Sequence, residues 1–244
     1  MLSALANPKR FMEFSGPALP WLWGACAGAF AIGIYLALFA SPPDYQQGET
    51  VRIMYVHVPA AWMAMFVYTF MATASLAGMI WGHRVADFAA KAAAPVGAVF
   101  TALALITGMR WGKPMWGAWW QWDARLTSVL ILFFLYLGYM ALWAAIEDPF
   151  RAARAAAILC LLGFVNIPII KFSVDWWSTL HQPASVFRAD GPTIDGSMLA
   201  PLLVMATAYS LLFAAILFVR VRTEIIGQRI RALRQMALSE DASA

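Results

Sequence analysis

Six apolar stretches of about 20 residues each constrain the fold of this chain more than any other feature of its sequence. They run near residues 18–40, 58–81, 92–109, 126–146, 155–172 and 198–219. A helix needs about 20 predominantly apolar residues to cross the hydrocarbon core of a bilayer. The sequence therefore predicts an all-α polytopic membrane protein, in which a bundle of six transmembrane helices forms a single domain over residues 1–244. Pro168 is expected to bend the fifth helix, with Asn166 bonding the backbone groups that the proline frees.

The composition agrees with this class of protein. Hydrophobic residues make up 62% of the chain and charged residues 12%, with a mean hydropathy of +0.69, whereas soluble domains carry about 25% charged residues. The net charge of +4 does not indicate nucleic-acid binding, because the basic residues follow the membrane topology. The sequence contains no zinc-ligand spacing, no P-loop and no Cys-x-x-Cys-His motif for covalent haem attachment.

The basic residues also predict which end of each helix faces the cytoplasm. Eleven of the 17 Lys and Arg residues lie in the N-terminal segment, the second and fourth connections and the C-terminal tail. Basic residues mark the cytoplasmic face, so both termini are expected inside and residues 41–57, 111–125 and 173–197 outside. The cytoplasmic basic tail, residues 220–244, is expected to include a short helix that lies along the membrane surface.

The outer segment 111–125, WGKPMWGAWWQWDAR, concentrates aromatic side chains. Its five tryptophans are Trp111, Trp116, Trp119, Trp120 and Trp122. On a helix, positions 116, 119, 120 and 123 would share one face and form a shelf of three indoles with a carboxylate at its end. Such a shelf suits a flat aromatic ligand or a protein partner. A tryptophan belt at the membrane interface is the alternative, although a belt needs only one or two tryptophans per helix end.

Two charged residues close this segment. An acidic side chain near a helix start is favoured by the helix dipole, so Asp123 is expected to begin the fourth span and to anchor the loop. Arg125 is less favourable at that helix end and is therefore the better functional candidate. A single carboxylate without a partner does not make a catalytic site, and no enzymatic activity is expected.

Two of the three histidines lie in the other outer segments, and each is followed two residues later by proline. His57 is expected at the start of the second span, where the helix dipole favours the neutral imidazole that a metal requires. His181 lies in the third outer loop, whereas His83 is expected to be a solvated loop residue on the cytoplasmic side. Two axial histidines above an aromatic floor form an arrangement for haem iron. The cations that could meet the haem propionates are Arg52, Lys113, Arg125 and Arg188. Taken singly, each of the two outer histidines could equally be an ordinary interface residue.

These residues carry a family resemblance. The sequence WGAWWQWDARLTS resembles the signature of the haem-handling WWD membrane proteins. With His57, His181, the six spans and the continuation LILFFLYLGY, nearly the whole chain resembles the cytochrome c maturation protein C family, also called haem exporter protein C. The resemblance implies that His57 and His181 are the two axial ligands of haem b. It also implies that the remaining signature residues contribute to haem binding: Trp116, Trp119, Trp120, Trp122, Asp123, Arg125 and, as a weaker correspondence, Arg52.

The resemblance further implies a bacterial inner-membrane protein that holds haem b at its periplasmic face. It would deliver this haem to the periplasmic haem chaperone of cytochrome c biogenesis, protein E. The other implied partners are the small single-span protein D, the ATP-binding-cassette subunits A and B and membrane lipid, with no nucleic acid. Two alternatives stay open: a b-type cytochrome that retains its haem for electron transfer, and an assembly subunit that uses the tryptophans for protein contacts without haem.

Overall fold

The computed structural model describes residues 7–241, and most of these residues are helical. The described residues form seven α-helices, namely α1 (Pro8–Tyr35), α2 (Met54–Trp81), α3 (Arg84–Trp116), α4 (Ala124–Ala145), α5 (Pro149–Gly163), α6 (Asn166–Trp176) and α7 (Gly196–Asp241). A π-helical turn, Leu36–Ala40, extends α1, and a 3-10 turn, Glu49–Ile53, leads into α2. Residues 1–6 and 242–244 of the predicted domain lie outside the described residues.

Six helical segments are long and apolar enough to cross a membrane, which confirms the prediction of an all-α multi-pass membrane protein. They are Pro8–Ala40, Glu49–Trp81, Arg84–Trp116, Ala124–Ala145, Pro149–Trp176 and Gly196–Asp241. Most of them extend beyond the predicted spans, because hydropathy detects the apolar middle of a helix whereas capping groups determine its ends. The side chain of Asn7, for example, accepts a hydrogen bond from the backbone N–H of Lys9 and begins α1 well before residue 18.

The fifth span is interrupted earlier than the proline suggested. Helix α5 ends at Gly163 and α6 begins at Asn166, so Pro168 occupies the third position of α6, where a missing N–H costs no intrahelical hydrogen bond. Asn166 does not repair its own helix as predicted. Its Nδ2 donates to the carbonyl oxygen of Ser128 in α4 at 2.9 Å, so it joins α6 to α4.

Small side chains let the central helices approach closely. Ala60 and Ala64 of α2 and Ala90 and Ala94 of α3 are almost completely buried, and α2 packs mainly against α3 while α1 packs mainly against α7. Close helix contact through small residues is typical of membrane proteins. Helix α3 therefore runs through the centre of the bundle, and its C-terminal end carries the tryptophan-rich segment.

The C-terminal tail does not form the separate surface helix that the sequence predicted. Helix α7 continues without interruption from the last span to Asp241. Its first basic turns pack against other helices: Arg222 Nη1 donates to Met12 O at 2.8 Å and to Ser15 Oγ at 2.9 Å, and Lys91 Nζ lies 2.9 Å from Glu224 Oε2. These contacts hold the beginning of the tail in line with the span.

Candidate functional site

The three predicted outer segments meet at one end of the bundle. Trp111 Nε1 donates to Gln47 Oε1 at 2.8 Å and joins the first segment to α3. The ring of Phe187, from the third segment, packs on Trp62 of α2 with 5.0 Å between centroids. The structure thus brings together side chains that are far apart in the sequence but were assigned to the same side by the pattern of basic residues.

The predicted helical shelf of tryptophans is wrong. Helix α3 ends at Trp116, because Gly117 adopts a left-handed conformation with φ of 75° and its N–H caps the carbonyl of Lys113 at 3.1 Å. Glycine takes this conformation without steric cost and commonly ends helices. Residues 117–123 have no helix, so positions 116, 119, 120 and 123 share no helical face.

The tryptophan-rich segment consequently has two parts. We call residues 111–116 the helical half and residues 117–123 the loop half. In the loop half, Trp119 and Trp122 are 51% and 76% exposed, and the Trp120 and Trp122 rings meet edge to face at 5.4 Å. In the helical half, Trp111 and Trp116 are partly buried and contact the two outer histidines.

His57 lies in the second turn of α2, which begins at Met54 instead of near residue 58. Its ring meets the ring of Trp111 edge to face, with 5.7 Å between centroids. It also lies so close to Gly108 that a Cβ atom there would come within 3.0 Å of His57 Cε1. Gly108 therefore makes the space that the imidazole occupies against α3.

The hydrogen bonds around Thr107 favour one tautomer of the His57 ring. His57 Nδ1 lies 3.1 Å from Thr107 Oγ1, and Thr107 Oγ1 lies 2.6 Å from the carbonyl oxygen of Leu103. A hydroxyl has one proton to donate, and the Leu103 carbonyl can only accept. With its proton on the shorter contact, to Leu103 O, the Thr107 oxygen accepts from His57 Nδ1–H, and this tautomer leaves the lone pair on Nε2.

His181 is held in a similar way by a carboxylate. Its Nδ1 lies 2.9 Å from Asp123 Oδ2, and the two side chains are 19% and 7% exposed. Its ring meets the ring of Trp116 edge to face at 5.0 Å. Burial lowers the pKa of His181, the hydrogen bond and charge of Asp123 oppose that shift, and Arg125 reinforces it. The net pKa is below the ordinary value, so near pH 7 the imidazole is neutral, donates from Nδ1 and keeps a lone pair on Nε2.

Asp123 has a second role that the sequence did predict. Its Oδ1 accepts a hydrogen bond from the backbone N–H of Leu126 at 2.7 Å and caps the start of α4. Its bond to His181, 58 residues further along the chain, was missed, since nothing in the local pattern indicates that pairing.

Both outer histidines therefore present the same donor arrangement. In each, Nδ1–H is given to an acceptor of this chain and Nε2 is left with a lone pair. This is how histidines that bind metals are usually oriented. Sequence reasoning missed Thr107 and Gly108, although their spacing from Trp111, four and three residues, places them beside that indole on α3.

The sequence of this chain matches the family model for heme exporter protein C over residues 1–236. The chain belongs to the heme exporter protein C family. The protein of that name from Bradyrhizobium diazoefficiens is 59% identical over 98% of this chain and 90% of its own length. Those from Paracoccus denitrificans and Escherichia coli K12 are 48% and 47% identical, over 93% and 92% of this chain and 95% and 91% of their own lengths. The family resemblance inferred from the signature sequence is thus confirmed.

In this member of the heme exporter protein C family, Arg125 joins two helices at the end of the bundle that carries His57 and His181. Its Nε donates to Ser173 Oγ at 3.1 Å and its Nη2 to the carbonyl of Lys171 at 3.4 Å. These acceptors lie in the last turns of α6, where a cation is favoured by the helix dipole. Arg125 therefore holds α6 against the start of α4.

The other candidate cations are also bonded within the chain. Arg52 pairs with Glu49 and donates from Nη1 to the carbonyl of Ala37 at 2.6 Å. Lys113 Nζ donates to Gly117 O at 2.9 Å and so supports the turn that ends α3. Arg188 lies 3.8 Å from Asp190 on the exposed rim. A guanidinium has five N–H donors, so Arg52 and Arg125 each retain donors beyond these bonds.

Proposed function

We propose that this chain holds haem b between His57 and His181 at the outer end of its helical bundle and delivers it to a periplasmic haem chaperone during cytochrome c maturation. The observation that carries the proposal is the matched presentation of the two imidazoles. Each has its Nδ1–H engaged within the chain and its Nε2 lone pair left for a metal. The name shared by its relatives, heme exporter protein C, supports haem as the cargo.

Two histidines are enough ligands for an iron that is already bound by a porphyrin. A protein site for a bare zinc ion uses three or four side chains, and residues 7–241 assemble no group of three or more His, Cys, Asp or Glu that could hold one. Haem iron already has four porphyrin nitrogens and needs two axial ligands. Two imidazoles that reach neighbouring turns of α3 can supply both.

The location of the histidines favours delivery over permanent retention. His57 is near the start of a helix, and His181 lies in residues 177–195, a connection without regular secondary structure. A connection of this kind opens with little loss of packing. A cytochrome that keeps its haem for electron transfer usually places both histidines inside its spans, so that alternative is the weaker one.

The neighbouring residues have separate roles in this proposal. Arg52 and Arg125 would meet the propionates with their remaining N–H donors. Trp119 and Trp122, for which the resemblance implied a role in haem binding, would instead dock the chaperone, protein E, because exposed tryptophans are frequent anchors of protein interfaces. Protein D and the ATP-binding-cassette subunits A and B remain proposed partners in the bacterial inner membrane, with both termini of this chain in the cytoplasm. The chain itself positions and presents its cargo and catalyses no reaction.

The test is to purify the full-length protein and its His57→Ala, His181→Ala and His83→Ala variants. Each of the first two substitutions is expected to remove the co-purified haem absorbance and to stop cytochrome c assembly. His83, exposed at the opposite end of α3, is the matched control and should change neither. Wild-type haem content in both outer variants would contradict the proposal. Absence of haem from the wild-type protein, with normal cytochrome c assembly in both outer variants, would favour an assembly subunit without haem. Stable redox cycling without transfer to the chaperone would favour a b-type cytochrome.

A further inference from the structure

The two imidazoles differ in the group that accepts their Nδ1 proton. His181 donates to the carboxylate of Asp123 at 2.9 Å, and His57 donates to the neutral hydroxyl of Thr107 at 3.1 Å. A hydrogen bond to a charged acceptor is about twice as strong as one between neutral groups. It also shifts electron density towards the distal nitrogen and makes the imidazole a stronger ligand.

The two imidazoles differ, in the opposite sense, in how firmly the backbone holds them. His57 is part of α2 and packs against Gly108. His181 lies in an irregular connection, where its backbone N–H donates a hydrogen bond to Thr179 Oγ1 at 3.2 Å. From the backbone alone, His181 would be the easier ligand to lose. The carboxylate of Asp123 counters this, because it is fixed at the start of α4 by its bond to Leu126.

We propose that Asp123 is a positioning residue that makes His181 the stronger of the two iron ligands, so that His57, backed by Thr107, is the ligand displaced when haem leaves. The proposal rests on the proposed function, since it concerns the same pair of ligands. It assigns an order to the release of the cargo. His57 would be the first to release the iron, and His181 would hold it for as long as its contact with Asp123 persists.

The chain allows matched substitutions for each acceptor. Asp123→Asn removes the charge but keeps a side chain that caps helices as well as aspartate does, so the start of α4 is preserved. Thr107→Val removes the hydroxyl at nearly constant shape, and Thr107→Ser restores it. His57→Ala and His181→Ala each leave one ligand, which separates the strengths of the two sides.

The measurements are haemin affinity and midpoint reduction potential on the purified full-length protein. Loss of an outer-sphere partner of a metal ligand costs about 10- to 100-fold in affinity. Asp123→Asn is expected to weaken haemin binding by this factor and to raise the potential, because the anionic acceptor stabilises the ferric state. Thr107→Val is expected to have a smaller effect in both measurements, and Thr107→Ser should restore wild-type values. His57→Ala should bind added haemin more tightly than His181→Ala, and adding Asp123→Asn to His57→Ala should remove that advantage.

Several results would overturn the inference. In one, Asp123→Asn leaves both affinity and potential at wild-type values; in another, His181→Ala binds haemin as tightly as His57→Ala or more tightly. If Asp123→Asn does not accumulate as a folded protein, the Thr107 variants and the two single-histidine variants decide the order of strength. These outcomes differ from failure of the proposed function, in which both single-histidine variants would keep the wild-type spectrum.

Discussion

The two halves of the tryptophan-rich segment share a composition but differ in environment. In the helical half, Trp111 and Trp116 lie against the two outer histidines. In the loop half, Trp119 and Trp122 are largely exposed. A single glycine, Gly117, separates the halves by ending α3. The same residue type therefore packs against the histidines on one side of the turn and is exposed on the other.

The difference between the halves arises from the small residues that accompany the tryptophans. In α3, Gly108 leaves room for His57, and Gly112 lets the Trp116 ring fold across the helix, since a Cβ atom at Gly112 would lie 2.8 Å from Trp116 Cε3. The loop half has no helical backbone on which its rings could pack in a fixed pattern. Its exposed indoles are instead positioned by the turn at Gly117 and the cap at Asp123.

The largest effect that tests the comparison is expected from Gly108→Val. An added Cβ would already be 3.0 Å from His57 Cε1, and the valine methyl groups would displace the imidazole from Thr107. Haem affinity should fall by about tenfold or more, measured by haemin titration of the purified protein. The control is Gly28→Val, at a helical glycine with open space around it, which should bind haemin normally. Normal binding by Gly108→Val would show that this close approach does not position the ligand.

Smaller effects are expected from one tryptophan substitution in each half of the segment, and they should differ between the halves. Trp116→Ala removes an aromatic contact with His181 worth about 0.5–1.5 kcal/mol, so haem affinity should fall about 2- to 10-fold. Trp119→Ala should leave haem affinity nearly unchanged but reduce transfer to the chaperone about fivefold or more, the usual effect of removing an interface anchor. Both quantities can be measured on one preparation by titration and by a transfer assay. Equal losses in both assays for both variants would remove the distinction between pocket and surface.

The smallest effect concerns the turn itself. Gly117→Ala places a side chain at a φ of 75°, which costs about 1 kcal/mol, and thermal unfolding in detergent should show a lower midpoint. Gly227→Ala, in the open part of α7, should instead stabilise the protein by about 0.5–1 kcal/mol. If Gly117→Ala leaves the midpoint unchanged or raises it as Gly227→Ala does, the left-handed turn does not determine where α3 ends.

The sequence alone predicted those features that depend on local pattern. Hydropathy identified the six spans, and an acidic residue before an apolar run identified the cap at Asp123. The pattern failed at Gly117, where the choice between continuing a helix and ending it depends on a backbone conformation that side-chain spacing does not show. It also failed for the tail. From composition, the basic tail was predicted as a helix separate from the last span, but the hydrogen bonds of Arg222 to α1 hold the beginning of the tail in line with that span.

The sequence named candidate residues for the site but not the contacts between them. His57 and His181 stood out because each precedes a proline by two residues and is predicted to lie outside. Their acceptors could not be paired with them from sequence, since the bonds span 50 and 58 residues. Thr107 is the acceptor most accessible to sequence reasoning, because it lies one turn before Trp111 on the same helix.

Electron paramagnetic resonance of the ferric, haem-loaded protein tests the central claim most directly, since that claim is that two imidazole Nε2 atoms share one iron. The wild-type protein should give the low-spin signal of a six-coordinate iron with two imidazole ligands. His57→Ala and His181→Ala, loaded with added haemin, should each give a high-spin signal. A high-spin signal from the wild-type protein, or a low-spin signal that persists in both variants, would contradict the account.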